Sequence, residues 1–291
     1  MEKKGEKGKE HPKLIFLLFF FLLSSTSNST CEAPKSNHFV LVHGACHGAW
    51  SWYKVSPVLK SWGHRVTALD LAASGVNPQN VLELKSISQY FKPLTQFMAS
   101  LSDDERVILV GHSLGGLAIS HAIEHFPRNI AVAVFVTALM PGPTFNITIL
   151  NQESFRRQVP LLDSHYTYDD GSHRPPTTFV FGTRYLASYV YHLSPHQDRE
   201  LARTLMRPLR LFGEEDMAEV LALSHSRYGS VSRVYVLSQE DRVMYSRFQR
   251  WMVEHNPPNH VIYVSGSDHM LMMSKPIDLC NHLNTIATHY T

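Results

Sequence analysis

The chain has 291 residues, enough for one large domain or two small ones; 44% of them are hydrophobic and 18% are charged. The formal net charge of +2 comes from residues 1–13, which hold five lysines and three glutamates and leave 22 basic and 22 acidic side chains in the rest. A neutral body without a basic cluster argues against nucleic acid as a partner.

The N-terminus has the pattern of a secretory signal. A basic start is followed by ten apolar residues at 14–23, LIFLLFFFLL, and then by SSTSNST. Ten apolar residues are too few to span a membrane, but they match the core of a signal peptide. We therefore predict a signal peptide and leader over 1–30 and secretion of the domain at 31–291. A seldom-used upstream extension, which leaves the protein cytoplasmic, and an organelle signal are the alternatives; acidic residues count against a transit peptide.

Sequons and cysteines add little to this picture. The sequons Asn28-Ser-Thr30 and Asn146-Ile-Thr148 fit a secreted chain. Cys31, Cys46 and Cys280 are an odd set without paired spacing. Neither a disulfide framework nor a zinc site is predicted from them.

From residue 38, short apolar runs alternate with longer amphipathic segments, which predicts strands and helices in turn. The strands are predicted at 38–43, 64–71, 105–111, 130–139, 232–238 and 260–265, and the helices at 49–63, 87–101, 114–126, 244–255 and 275–290. The strands are apolar on both faces, which indicates a mostly parallel sheet flanked by helices. The predicted fold class is α/β.

Residues 141–230 interrupt this alternation. They contain Pro141-Gly-Pro143 and the loop-like DDGSHRPPTT at 169–178, without a clear strand–helix repeat. We interpret the segment as a lid, or cap, over the carboxyl edge of the sheet, where open α/β sheets bind ligands.

The stretch VILVGHSLGGLAI at 107–119 places Ser113 between glycines at the end of a strand and the start of a helix. In that position a strained turn lifts a serine hydroxyl above the sheet, as a nucleophile requires. A tight turn into a buried helix, without chemistry, is the alternative interpretation. The small neighbours Gly111, Gly115 and Gly116 allow strand and helix to approach closely.

A nucleophilic serine needs a histidine base and an acid, in the chain order serine, acid, histidine. His269 lies in the loop after the last strand, where the base is expected. The acid should follow the preceding strand, which offers Glu240 and Asp241, and we choose Asp241. Asp268 is the rival, but adjacent side chains usually diverge.

Two backbone amides are needed to hold the oxyanion of a tetrahedral intermediate. We predict the amide of Leu114, after the nucleophile, and that of Ala45, in the loop HGACHG at 43–48. A glycine-rich turn is the alternative for that loop. The chemistry requires neither a metal nor a cofactor.

Several stretches together resemble the plant methylesterase group of the α/β-hydrolase superfamily, which includes salicylic-acid-binding methylesterases, polyneuridine-aldehyde-esterase-like proteins and hydroxynitrile lyases. The matching segments are 38–59, 63–78, 107–116, 228–236, 247–251 and 266–276. The resemblance implies an α/β-hydrolase fold and a serine carboxylesterase acting on small apolar methyl esters, such as methyl jasmonate, methyl salicylate and methyl indole-acetate. It also implies the triad Ser113, Asp241 and His269.

Within this group the resemblance favours an esterase over a lyase. Hydroxynitrile lyases carry a threonine after the histidine that ends the first strand and a lysine after the catalytic histidine; this chain has Gly44 and Met270. The resemblance also implies a small-molecule pocket beneath the lid. The candidate wall residues are Phe179, Phe181, Tyr185, Tyr191 and Met270.

Two other functions stay open on the sequence alone. One is a hormone-binding sensor on a hydrolase fold, and the other is a hydroxynitrile lyase. The predicted partner is a small-molecule ester, with no nucleic acid and no stable membrane span. The sequence does not decide between a monomer and a homodimer.

Overall fold

The computed structural model describes Met1 and residues 36–156 and 159–291. The predicted signal peptide, the Asn28 sequon and Cys31 lie outside the described residues. In the described part the strands are, in chain order, β1 His38–Val42, β2 Arg65–Leu69, β3 Val107–His112, β4 Ile130–Val136, β5 His165–Thr167, β6 Thr178–Val180, β7 Leu209–Arg210, β8 Arg233–Ser238 and β9 His260–Val264.

Six of these strands form one parallel sheet in the order β2-β1-β3-β4-β8-β9. The predicted parallel sheet of an α/β protein is therefore confirmed. Four strands, β1, β2, β4 and β9, end one to three residues sooner than the apolar pattern suggests. For example, β4 stops at Val136 because Thr137 has a φ of 41°, which leaves the extended conformation.

Helices connect the strands. In the described part they are α1 Val55–Ser61, α2 Ile87–Ala99, α3 Gly115–His125, α4 Ile147–Arg156, α5 Thr183–Tyr185, α6 His196–Leu205, α7 Glu214–Val220, α8 Ser246–His255, α9 Leu271–Ser274 and α10 Pro276–Tyr290. The helix predicted at 49–63 is instead a 3₁₀ turn, Ala49–Trp52, followed by α1. Pro57 has no N–H to bond to residue 53, so it is tolerated in the first turn of a helix that begins at Val55.

Both faces of the four central strands are buried, as the apolar pattern predicts, whereas the edge strands β2 and β9 are partly exposed. Along β1, Phe39 and Leu41 join one hydrophobic cluster, and Val40 and Val42 join the other. All four side chains are fully buried. The period-2 alternation of strand side chains thus feeds two cores, one on each side of the sheet.

The segment predicted as a lid holds regular structure that its sequence does not reveal. Strands β5, β6 and β7 form a small antiparallel sheet in that order, and helices α4, α6 and α7 lie in the same segment. These strands have only two or three residues each, too short to show a hydrophobic period. A carboxylate joins this segment to the residues just before α1: Asp198 accepts hydrogen bonds from Lys54 and Tyr53, both at 2.5 Å.

Within the described part of the chain, none of the helices has the length and apolar character needed to cross a membrane.

The topology determines where a site can form. Strand β1 is followed in sequence by β2 on one side of it and then by β3 on the other, so the strand order reverses between β1 and β3. Loops that leave the carboxyl ends of β1 and β3 therefore diverge and open a crevice. The predicted oxyanion loop follows β1 and Ser113 follows β3, which puts both at this crevice.

We predict that Leu41→Ala lowers the free energy of unfolding by about 2–5 kcal/mol, because it leaves a cavity in a packed interior. Leu41 lies on β1 and is fully buried. Denaturant titration followed by circular dichroism measures the change. Ile277→Ala is the control, since that side chain is 52% exposed and should shift stability by less than about 0.5 kcal/mol. Equal losses in the two variants would contradict the prediction.

Candidate active site

Ser113 lies in a sharp turn between β3 and α3. Its φ of 52° is in the left-handed region, which a serine rarely adopts. Hydrogen bonds hold the turn: the Ser113 amide donates to the Val136 carbonyl at 3.3 Å, and the Leu139 amide donates to the Ser113 carbonyl at 3.0 Å. Gly116 allows the close approach, because a Cβ there would lie 2.0 Å from the Leu139 carbonyl oxygen.

The three side chains predicted as a triad lie in one hydrogen-bonded chain. His269 Nδ1 is 2.8 Å from Asp241 Oδ2, and His269 Nε2 is 3.0 Å from Ser113 Oγ. A carboxylate can only accept, so Nδ1 carries the hydrogen and Nε2 is left to accept from the serine hydroxyl. His269 and Asp241 are buried, whereas Ser113 is half-buried. This arrangement allows His269 to withdraw the proton of Ser113.

Asp241 is held by more than the histidine. Its Oδ1 accepts from the amides of Val243 and Met244 at 2.8 and 2.9 Å, and Gln249 Nε2 lies 3.3 Å from Oδ2. These donors keep the carboxylate oriented without neutralising it with a cation. Sequence reasoning did not single out Gln249, which α8 brings back to the carboxylate and which is fully buried.

The two rival carboxylates point elsewhere. Glu240 Oε2 accepts from the amides of Gly266 and Ser267, at 2.8 and 3.3 Å. Asp268 accepts from the Leu193 and Ser194 amides, at 2.9 and 2.7 Å, from the Ser194 hydroxyl and from the Met270 amide. The side chains of Asp268 and His269, which are adjacent in sequence, therefore point in different directions. Its carboxylate joins the lid segment to the loop that carries His269.

The backbone of His269 is also anchored. Its carbonyl oxygen accepts from His112 Nε2 at 2.8 Å and from Thr137 Oγ1 at 3.2 Å. His112 is buried, and its Nδ1 has no hydrogen-bond partner among the described residues. Burial, and then the nearby His269, hold the pKa of His112 well below its usual range, so the imidazole stays neutral.

Gly44 leaves room for Ser113 and His112. A Cβ at position 44 would lie 2.8 Å from Ser113 Cβ and 2.9 Å from His112 Nδ1. Both distances are shorter than a carbon atom allows, so any side chain at this position requires the loop or its neighbours Ser113 and His112 to shift.

Ser113 opens onto a cavity of about 230 Å³. The predicted oxyanion residues Ala45 and Leu114 lie in its wall with Ser113. Among the described residues, neither of their amides donates to another protein group, so both can serve a ligand. The other lining residues come from the lid segment, from the turn after β4 and from the segment after β8: Leu139, Ser154, Val159, Leu161, Phe181, Tyr185, Val243, Met244, Tyr245 and Phe248.

Of the predicted wall residues, Phe181 and Tyr185 line this cavity and the other three lie elsewhere. Phe179 packs edge-on against Phe181, one layer behind it. Tyr191 is buried, with its hydroxyl 2.6 Å from His47 Nε2. Met270 is fully buried in the core behind His269. The aromatic residues at 177–195 correctly pointed to the lid as part of the cavity wall. Sequence reasoning gave no indication that the segment after β8 also lines the cavity.

The described residues contain no group of three or more histidine, cysteine or acidic side chains arranged to hold a metal ion. The two described cysteines are free and buried.

Comparison with known proteins identifies the family of the chain. The alpha/beta hydrolase family matches residues 39–283. Methyl jasmonate esterase 1 of Vitis vinifera is 52% identical over 258 residues, 88% of this chain and 99% of the relative. Salicylic acid-binding protein 2 of Nicotiana tabacum is 42% identical, covering 88% and 99%. The crystal structure of a single-residue mutant of tomato methylketone synthase I is 49% identical with a TM-score of 0.86, covering 88% of this chain and all of that chain.

The chain is therefore a member of the α/β-hydrolase family. Within that family its relatives include several named methylesterases, so it belongs to the plant methylesterase group, as the resemblance implied.

Buried histidines should make the stability of the protein fall in acid. Desolvation lowers the pKa of His43, that of His112, and that of His47 to about 3, whereas each has a pKa near 6.5 when unfolded. Below pH 6.5 these histidines become protonated in the unfolded chain but stay neutral in the folded chain. The free energy of unfolding should therefore fall, as the pH is lowered, by up to about 1.4 kcal/mol per pH unit for each histidine.

Urea titrations between pH 7 and pH 5.5 measure this slope. His112→Gln should make the slope shallower by the share of one histidine, while the exposed His173→Gln should leave it unchanged. A His112→Gln slope equal to that of the wild type would contradict the assignment of His112 as a buried neutral group.

Proposed function

We propose that this protein is a serine carboxylesterase that hydrolyses methyl esters of small apolar carboxylic acids, with Ser113, His269 and Asp241 as its catalytic triad. The observation that carries the proposal is the hydrogen-bonded chain from Ser113 through His269 to Asp241 at the mouth of an uncharged cavity. The names of relatives, among them methyl jasmonate esterase 1, support ester hydrolysis as the reaction.

The first half of the reaction forms an acyl-enzyme. Ser113 Oγ attacks the ester carbonyl carbon while His269 Nε2 takes the hydroxyl proton, and Asp241 stabilises the imidazolium. The carbonyl oxygen becomes an oxyanion that accepts hydrogen bonds from the amides of Ala45 and Leu114. When the tetrahedral intermediate collapses, His269 returns its proton to the departing methoxide, and methanol leaves.

The second half consumes water. His269 removes a proton from a water molecule, whose oxygen attacks the acyl carbon and forms a second oxyanion in the same hole. Collapse breaks the bond to Ser113 Oγ, which regains its proton from His269. The balance is one ester and one water converted to one carboxylic acid and one methanol.

The cavity supports a neutral substrate of modest size. None of its lining residues carries a formal charge, and most are aliphatic or aromatic. Its volume of about 230 Å³ is below the ~300–1,000 Å³ typical of ligand pockets. A free carboxylate would lose its hydration without gaining a cationic partner here. The methyl ester should therefore bind better than the acid, which favours turnover over a role as a sensor of the free acid.

The triad matters to this choice because the fold alone does not specify the reaction. A solved structure at 49% identity is that of a methylketone synthase, whose name is not that of an esterase. Methyl jasmonate, methyl salicylate and methyl indole-acetate are the substrates we propose to compare, since all three are neutral methyl esters of small, largely apolar acids.

We predict that Ser113→Ala lowers kcat for the best of these esters by at least about 10⁴-fold, because no other group can form the acyl-enzyme. Release of the free acid, measured by chromatography, gives the rate. Ser120→Ala is the matched control: that serine lies on α3 and its hydroxyl donates to the Gly116 carbonyl, away from the cavity. Near-wild-type turnover by Ser113→Ala would contradict the proposal. Cyanide release from mandelonitrile by the wild type would instead favour a lyase.

We also propose that the protein enters the secretory pathway and loses residues 1–30. The support is the basic start and the ten apolar residues at 14–23. Sequencing of the N-terminus of protein purified from a plant host should give a first residue near 25–32. An intact Met1 would count against secretion and favour the cytoplasm.

A further inference from the structure

Two buried histidines hold the two peptide groups on either side of the Ala45 α-carbon. His43 contacts the carbonyl of Gly44, and His47 contacts the carbonyl of Ala45. Neither histidine belongs to the chain from Ser113 to Asp241. Both are at least 98% buried, so their hydrogen bonds are made without competition from solvent.

The partners of His43 determine its tautomer. The Leu71 amide donates to Nε2 at 3.0 Å, so Nε2 is unprotonated. The hydrogen of the neutral ring must then sit on Nδ1, which is 2.8 Å from the Gly44 carbonyl oxygen and donates to it. With a backbone amide at Nε2 and a carbonyl at Nδ1, the neutral His43 ring can have only one tautomer, the one with its hydrogen on Nδ1.

This hydrogen bond orients the Ala45 amide. The Gly44 carbonyl and the Ala45 N–H belong to one peptide group, which is planar and trans, so the two point in opposite directions. By holding the carbonyl, His43 fixes the direction of the N–H. The Gly44 carbonyl also accepts from the His47 amide at 3.3 Å, which closes the turn.

His47 does the same for the next peptide group. Its Nδ1 is 2.7 Å from the Ala45 carbonyl and donates to it, so its Nε2 accepts from the Tyr191 hydroxyl at 2.6 Å. The ring is stacked on Trp50, with centroids 5.1 Å apart, and lies nearly parallel to the ring of Tyr191, with centroids 5.8 Å apart. Tyr191 belongs to the lid segment, so this contact joins the lid to the loop after β1.

We propose that His43, His47 and Tyr191 are positioning residues that orient the Ala45 amide toward the oxyanion. Tyr191 does so from the lid segment, through its hydrogen bond to His47. This inference rests on the proposed function, since it assigns a task within the same reaction. It concerns residues that touch neither the ester nor the triad side chains. We call the three residues the oxyanion clamp.

The electrostatics of the clamp are consistent with this role. Burial lowers the pKa of His43 and lowers that of His47 to about 3, so both rings stay neutral in the pH range of esterase assays. Burial also raises the pKa of Tyr191 well above its usual range, so the hydroxyl keeps the hydrogen it donates. With His47 neutral, its Nε2 is the acceptor for the Tyr191 hydroxyl, so the direction of this hydrogen bond is fixed.

The test is a series at position 47. His47→Phe keeps the ring stack but loses both hydrogen bonds, and it should lower kcat by about 10- to 100-fold with KM changed less than about twofold, since a misaimed donor fails mainly in the transition state. His47→Asn can still donate to the Ala45 carbonyl and should recover most of that loss. Tyr191→Phe keeps the packing and should give a smaller loss of kcat.

A second readout separates positioning from mere stability. A trifluoromethyl ketone analogue of the substrate forms an oxyanion on Ser113, and its affinity should fall in His47→Phe by the same factor as kcat/KM, while the affinity of the acid product is unchanged. His64→Phe is the control: that histidine is also buried and hydrogen-bonded, to Asn284 at 2.9 Å, but lies in the turn before β2, at the end of the strand away from Ser113. Its kcat should match the wild type.

Folded His47→Phe with wild-type kcat and wild-type inhibitor affinity would overturn the clamp. A third measurement does not depend on activity: nitrogen NMR of isotope-labelled histidine should find the hydrogen on Nδ1 in both His43 and His47. A hydrogen on Nε2 in either ring would overturn the assignment. If the wild type hydrolyses no ester, the proposed function fails, and the NMR result still decides whether the clamp exists.

Discussion

The hydrogen bond between His269 and Asp241 is the contact on which the rest of the site depends. A neutral imidazole has one hydrogen, and because Asp241 accepts a hydrogen bond from Nδ1–H, Nε2 is left as the acceptor that faces Ser113. The contact requires loops from β8 and β9 to meet the turn after β3. Parallel strands that all end at one edge of the sheet make this meeting possible.

Flanking carboxylates keep those loops in place. Glu240 and Asp268 precede Asp241 and His269 by one residue each, yet both point away from the triad and accept backbone amides. Glu240 is exposed, whereas Asp268 is fully buried, and a buried carboxylate with several N–H donors needs no cation to be stable. Asp241 and His269 are therefore each preceded by a carboxylate that binds backbone amides, and the one at Asp268 also binds the lid segment.

The site combines one charged carboxylate with surroundings that stay neutral. Desolvation keeps His43, His47 and His112 unprotonated, and the cavity wall carries no formal charge. In such surroundings an oxyanion has few competing charges, so two aimed amides can be worth more than they would be in water. The same neutrality disfavours retention of the carboxylate product.

The sequence by itself determined the parallel sheet. Successive side chains of a strand point to opposite faces, so a short run that is apolar at every position indicates a strand buried on both faces. It also determined the candidate nucleophile, base and acid, since the chain order and the strand ends limit each to one or two positions, such as Asp241 against Glu240. Only the tertiary structure decided which residues line the cavity and which hold the oxyanion loop. Val243 lines the cavity beside residues from distant segments, and Tyr191 contacts His47 across 144 residues of chain. Gln249 is close to Asp241 in sequence, but only the fold of the turn into α8 brings its side chain back to the carboxylate. Such contacts leave no local period or motif in the sequence.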